Sequence, residues 1–166
     1  MSFDKSIEFV FRWEGGYSND PADAGGETKY GISKKAYPNL NIANLTEVQA
    51  KVIYEKDYWK ASYCNLLPYP LSLAVFDYAV NAGPSRAVKA LQGAVGASPD
   101  GVWGPQTLAK INEAVKKVGT KRLAVHLCNE RANFYVDLVT KKPSQIKFLK
   151  GWMRRVFDLI MEIYNG

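Results

Sequence analysis

A mainly α (α+β) fold is predicted for this chain of 166 residues, a helical bundle with a small N-terminal β-hairpin. Three observations predict it. Apolar residues recur at helical spacing over most of the length. Prolines and glycines fall where helices start and stop rather than inside them. Residues 15–33 stand apart: they have the Gly, Asn, Asp and Pro density of turns, with Thr, Tyr and Ile toward their end.

Residues 3–14 form the first helix. Phe3, Ile7, Val10, Phe11 and Glu14 share one side, and Gly15-Gly16 stop it. EGGYSNDPADAGGETKYGIS then makes turns and the hairpin. Thr46 and Gln49 have the spacing of a capping box, which opens a helix through about Trp59. Pro68 and Pro70 end the next connection, and Leu71–Asn81 is a short buried helix. Pro84 suits the first turn of a helix to about Val95, and Pro105 that of another to about Val118. Residues 121–140 are helical. A last helix follows Pro143, with Ile146, Leu149, Trp152, Met153, Val156, Ile160 and Ile163 as its apolar stripe.

Composition excludes several classes. A hydrophobic fraction of 47% and a charged fraction of 23% are those of a globular domain, not of a disordered, collagen-like or coiled-coil chain. No apolar run approaches the roughly 18 residues of a membrane span. MSFDKSIEFV has no basic head followed by an apolar stretch, so no secretory signal is expected. Cys64 and Cys128 make no disulfide framework, which suits synthesis in a reducing cytoplasm. The net charge of +6 is uneven: eleven basic residues from Lys116 to Arg155 face only Glu130 and Asp137. Such a half suits a polyanion (nucleic acid, an anionic membrane or an acidic wall polymer) or is a solvated helix face.

Glu14 is the first chemical candidate. It ends a helix whose inward face is apolar, beside Trp13, and Gly15-Gly16 let a ligand approach the backbone. Apolar burial and the negative end of the helix dipole both favour a protonated carboxyl there, as a glycosidase needs to protonate a leaving oxygen. A hairpin folding back would bring Asp23 and Thr28 across a cleft, a second carboxylate and a hydroxyl to orient water. Asp20 reads as a turn residue before Pro21; Asp23 is either that or the second carboxylate. Asp77 and Asn81, four apart on one helix face, either contact substrate or make buried structural hydrogen bonds. Tyr17, Tyr30, Trp59, Tyr63 and Trp103 are candidates to line a sugar cleft, and Trp103 lies in GVWGP, which also reads as a tight turn before a helix. One histidine, His126, excludes a multi-His metal site, and no phosphate-binding glycine motif stands in the chain, so no metal and no cofactor are expected.

Glu14-Gly15-Gly16-Tyr17, Asn19-Asp20-Pro21, Asp23, Gly25-Gly26, Thr28 and Tyr30-Gly31-Ile32 together resemble the signature of glycoside hydrolase family 108. Its members are lysozyme-like N-acetylmuramidases of phage endolysins and bacterial secretion-activator proteins. Phe76-Asp77, Ala79-Val80-Asn81, Gly83-Pro84, Leu91-Gln92, Asp100-Gly101 and Trp103-Gly104-Pro105 resemble the family's companion peptidoglycan-binding region. The resemblance spans about residues 3–160. It implies a lysozyme-like fold in a single compact domain, with a catalytic lobe at about 1–68 and a helical peptidoglycan-binding-like lobe at about 69–166. It places the catalytic acid on Glu14. Phage-type lysozymes also space a Glu, an Asp and a Thr along this stretch. Eight residues separate Glu14 from Asp23, as there, but four rather than five separate Asp23 from Thr28.

The function expected is a muramidase cutting the β-1,4 bond between N-acetylmuramic acid and N-acetylglucosamine. Glu14 would protonate the oxygen, while Asp23 and Thr28 assist water. Tyr17, Tyr30, Trp59, Asn81 and Trp103 would bind substrate. Direct displacement by water inverts the anomeric centre and needs carboxylates roughly 6.5–9.5 Å apart. A lytic transglycosylase on the same bond, or a peptidoglycan-binding or secretion-assisting protein without catalysis, are the alternatives. The expected partner is bacterial peptidoglycan, with electrostatic contact to an anionic envelope through the basic half. No nucleic acid is expected, for want of a recognition signature. A monomer is the default expectation for a wall-degrading enzyme that must enter a mesh, and the resemblance implies synthesis in the host cytoplasm and release through a holin pore.

Overall fold

The computed structural model describes residues 2–19 and 26–166. Helix α1 (Ser2–Glu14) buries Ser6, Ile7, Phe9 and Val10. Gly15, at φ 73°, turns the chain out of it with a left-handed residue that glycine adopts without strain. Strands β1 (Thr28–Lys29) and β2 (Ile32–Ser33) pair antiparallel, and a further bridge joins Ser18 to Thr28. Tyr30 and Gly31 connect the strands with φ of 51° and 74°, the positive pair that a tight hairpin turn requires.

The capping box at α2 (Glu47–Tyr54) forms in both directions: the Gln49 N–H donates to Thr46 Oγ1 at 3.2 Å and the Thr46 N–H to Gln49 Oε1 at 2.9 Å. The helix runs on as a wider π-helical turn, Glu55–Lys60, and ends near Tyr63.

Helix α3 (Leu71–Ala82) is the axis of the molecule. Every residue from Leu71 to Ala79 is buried, so it is enclosed all round rather than on one stripe. It packs against α1, α4 (Pro84–Ala94) and α6 (Thr120–Lys141). Helix α5 (Pro105–Val118) packs on α6, and α7 (Ile146–Asn165) lies along α6. Pro84 and Pro105 begin their helices, where a missing N–H costs nothing. Cys64 and Cys128 are buried free thiols. Among the described residues no helix is long and apolar enough to cross a membrane.

Two expectations about the C-terminal half need correction. The stripe of α7 is buried at Val156 and Ile163, with Leu159 beside them, and Leu149, Trp152 and Ile160 pack partly buried against the core, but Ile146 is exposed. The stripe also carries a cation, Arg155. Arg131 on α6 is buried as well, so two of the eleven basic residues belong to the interior and not to a basic face.

Candidate active site

Glu14 stands at the last position of α1, between the hairpin and α7, with its side chain 20% exposed. Arg155 reaches it from α7: Nη1 donates to Glu14 Oε1 at 2.6 Å. The rest of the same guanidinium is committed to Asp77 on α3. Its Nη2 and Nε donate to Asp77 Oδ1 at 2.7 and 3.0 Å. Asp77 also accepts from Arg131 Nη1 through its other oxygen. Glu14, Arg155, Asp77 and Arg131 thus alternate in sign along one chain of contacts that joins α1, α7, α3 and α6. Such a chain is tolerated inside a protein because every charge has an opposite neighbour and a hydrogen bond.

Burial alone would push the Asp77 carboxyl up, but Arg155 and Arg131 together hold it below its ordinary value. Arg155 is pushed up by Asp77 and Glu14 against the burial that would lower it, and stays charged. Beyond Arg131 the network continues to neutral groups. Arg131 Nε donates to the Tyr135 hydroxyl at 2.7 Å, which donates to Asn81 Oδ1. Asn81 is therefore tied into the interior.

The other oxygen of Glu14 faces the hairpin. A Cβ added at Gly31 would lie 2.6 Å from Glu14 Oε2, 2.6 Å from the Tyr54 hydroxyl and 2.8 Å from Glu14 Cβ. Only glycine lets the hairpin close on the carboxylate this tightly. Tyr54 holds the turn from beneath, donating to the Tyr30 carbonyl at 2.8 Å. Burial raises the Tyr54 phenol, so this hydroxyl remains a donor far into the alkaline range.

The remaining expected residues fall in several places. Tyr17 is 52% exposed, and its hydroxyl donates to Glu27 Oε1 at 2.9 Å. Tyr30 is half-buried with its ring against Phe11. Thr28 joins the hairpin, with its hydroxyl donating to the Gly26 carbonyl at 3.1 Å. Asp23 lies outside the described residues, as do Asp20, Pro21 and Gly25. Trp59 is a correction: it is 3% exposed and packs edge-on against Phe3 and Phe76, so it offers no face to a sugar. Trp103 stacks on Tyr63 with ring centroids 4.8 Å apart, joining the loop before α5 to the end of the π-helical turn. No group of side chains among the described residues has the make-up of a metal site.

Arg155 and Arg131 are the residues that sequence reasoning missed. A signal was present. Arg155 falls three after Trp152 and four before Leu159, and Arg131 falls three after Cys128 and four before Tyr135. A cation at core spacing on an amphipathic helix needs a buried anion opposite it.

Known proteins share this arrangement of chain. Residues 7–83 match the family model described as Glycosyl hydrolase 108, and residues 86–157 the one described as Predicted Peptidoglycan domain. Among solved structures, that of Brucella abortus SagA superposes with a TM-score of 0.81 at 33% sequence identity, over 98% of this chain and 94% of that one. No curated protein sequence matches.

Proposed function

Since the chain belongs to the glycosyl hydrolase 108 family, with its lysozyme-like fold and its action on peptidoglycan, we propose that it is an endolysin-like N-acetylmuramidase with Glu14 as its general acid. The bond cut is the β-1,4 link between N-acetylmuramic acid and N-acetylglucosamine.

The observation that carries this reading is the division of labour between the two oxygens of Glu14. Arg155 donates to Oε1, so Oε1 is fixed as an acceptor. Oε2, which Arg155 does not engage, is the oxygen left to pass a proton to the glycosidic oxygen. Protonation of a poor leaving group is the main demand of this reaction, and a positioned carboxylic acid supplies roughly 10²–10⁴ in rate. Fixing the carboxylate from behind keeps that acid in one orientation as the bond breaks. In this reading Asp23 and Thr28 direct water to the anomeric carbon, and Tyr17 and Tyr30 border the sugar on the hairpin side.

The test is digestion of purified peptidoglycan by the wild type and by Glu14→Gln, with mass spectrometry of the soluble fragments. Fragments ending in reducing N-acetylmuramic acid, absent with the variant, are the expected result. Anhydro-muramic ends would make the enzyme a lytic transglycosylase and remove the water-directing role from Asp23. Fragments undiminished in the variant would overturn the assignment of Glu14.

A further inference from the structure

Away from Glu14, a concave surface runs between the end of α4, α5 and the first turns of α6. Two cavities adjoin there, of about 390 and 780 Å³, sharing Lys110 and Glu113 on α5. The floor of the smaller is aliphatic: Ala94, Val95 and Ala114 are half-buried and Leu123 is buried. Its rim is cationic. Lys110 is paired with Glu113 at 3.1 Å, but no ion pair among the described residues engages the exposed Lys117 or Arg122. No Phe, Tyr or Trp lines this cavity.

That combination selects one part of the polymer. The glycan of peptidoglycan presents hydroxyls, acetamides and sugar faces, which aromatic rings suit. Its peptide stems present methyl groups and free carboxylates, which an aliphatic floor under unpaired cations suits. We infer that this groove binds the acidic peptide stem of peptidoglycan, with Lys117 and Arg122 pairing its carboxylates. The inference rests on peptidoglycan being the polymer on which the enzyme acts. It adds a second hold on that polymer: α4 and α6, which line the groove, both pack on α3, and α3 packs on α1, so one helix stands between the groove and the helix that carries Glu14.

His126 provides the probe. It lines the groove, is exposed, and is the one histidine in the chain, so its ring signals in a nuclear magnetic resonance spectrum need no assignment. The full-length Glu14→Gln protein is titrated with the tetrapeptide L-Ala–γ-D-Glu–meso-diaminopimelate–D-Ala, and separately with a peptide-free glycan oligosaccharide. The tetrapeptide is expected to move the His126 signals in a saturable way, and the oligosaccharide to leave them in place. Adding Lys117→Glu and Arg122→Glu together is expected to weaken the peptide at least about tenfold, since two attractive charges become repulsive. Both side chains are exposed, and an unchanged unfolding midpoint will show that the fold is kept.

An unmoved His126 with the tetrapeptide, an equal response to the oligosaccharide, or undiminished peptide binding by the doubly substituted protein would each overturn the inference. Failure here is distinct from failure of the muramidase reading. Glycan cleavage by the wild type with an unmoved His126 sinks only the groove. A His126 response without glycan cleavage sinks only the muramidase.

Discussion

Glu14 Oε1 lies 2.6 Å from Nη1 of Arg155, although the two stand 141 positions apart in sequence. The carboxylate that closes the first helix is therefore oriented by the last one. Arg155 can do this because Asp77 holds its Nε and Nη2, which leaves Nη1 alone to point at Glu14. The buried aspartate is the anchor, the arginine is the arm, and the partly exposed glutamate is what the arm positions.

Arg155→Lys tests this arm. An ammonium keeps the charge but has no planar fork, so it cannot engage Asp77 with two nitrogens and Glu14 with a third. We expect kcat to fall about 10- to 100-fold with KM little changed, because orientation is lost rather than sugar binding. Arg155→Met removes the charge as well and leaves Asp77 with Arg131 only. Breaking a buried pair in this way costs about 3–5 kcal/mol, read from denaturant unfolding. A lysine variant with unaltered kcat would show that the Arg155–Glu14 contact does not serve catalysis.

Asp77→Asn should show the acid dependence of the same network. Asp77 is held below its ordinary value of 3.8 in the folded protein, so the unfolded chain binds the proton more readily than the folded one. The stabilisation is then fully present above about pH 4 and fades as pH falls through the lower folded value. The difference in unfolding free energy between wild type and Asp77→Asn should be widest at pH 5–7 and close below about pH 4. A difference constant from pH 3 to 7 would contradict the ionised buried anchor.

The helices were legible because their signals are local. Pro84 and Pro105 mark helix starts that need no N–H, Thr46 and Gln49 satisfy each other's backbone, and Gly15 ends α1. Glu14 was legible for the same reason, as a carboxyl closing an amphipathic helix before two glycines. Arg155 and Arg131 were not, because a run of basic residues looks the same whether its members face water or a buried Asp77 far away in the chain. Trp59 misled for a related reason. Its ring contacts Phe3 and Phe76, partners from α1 and α3 that no local pattern names.

Gly31→Ala should damage the site through the hairpin alone. The added methyl would meet Glu14 Oε2 and the Tyr54 hydroxyl, each at 2.6 Å, on a residue with φ of 74°. Backbone strain and overpacking together should cost about 2–4 kcal/mol. Glu14 must shift to make room, so release of soluble fragments from peptidoglycan should fall at least about 100-fold, a drop beyond what the stability loss explains. Tyr54→Phe is the milder companion. It removes the support under the Tyr30 carbonyl, one hydrogen bond worth about 1 kcal/mol, and should lower activity far less.

Gln92→Leu should open the loop that precedes α5 while leaving the Glu14 network in place. The Gln92 side chain is buried, and its amide nitrogen donates to Asp100 Oδ1, the Val102 carbonyl and Thr107 Oγ1 at 2.9, 3.0 and 3.2 Å. Its oxygen accepts the Gly101 N–H at 2.8 Å. One side chain therefore holds both ends of the turn that carries Trp103. Leucine has similar bulk but no polar atoms, so the turn would lose every one of these bonds and leave the Thr107 hydroxyl buried without this partner. We expect a loss of about 2–3 kcal/mol, with new proteolytic cuts confined to residues 96–104. The same variant should keep its Glu14–Arg155 contact and cut peptidoglycan at close to the wild-type rate per folded molecule at low temperature. Cleavage by protease elsewhere first would place the weakest part of the fold outside this loop.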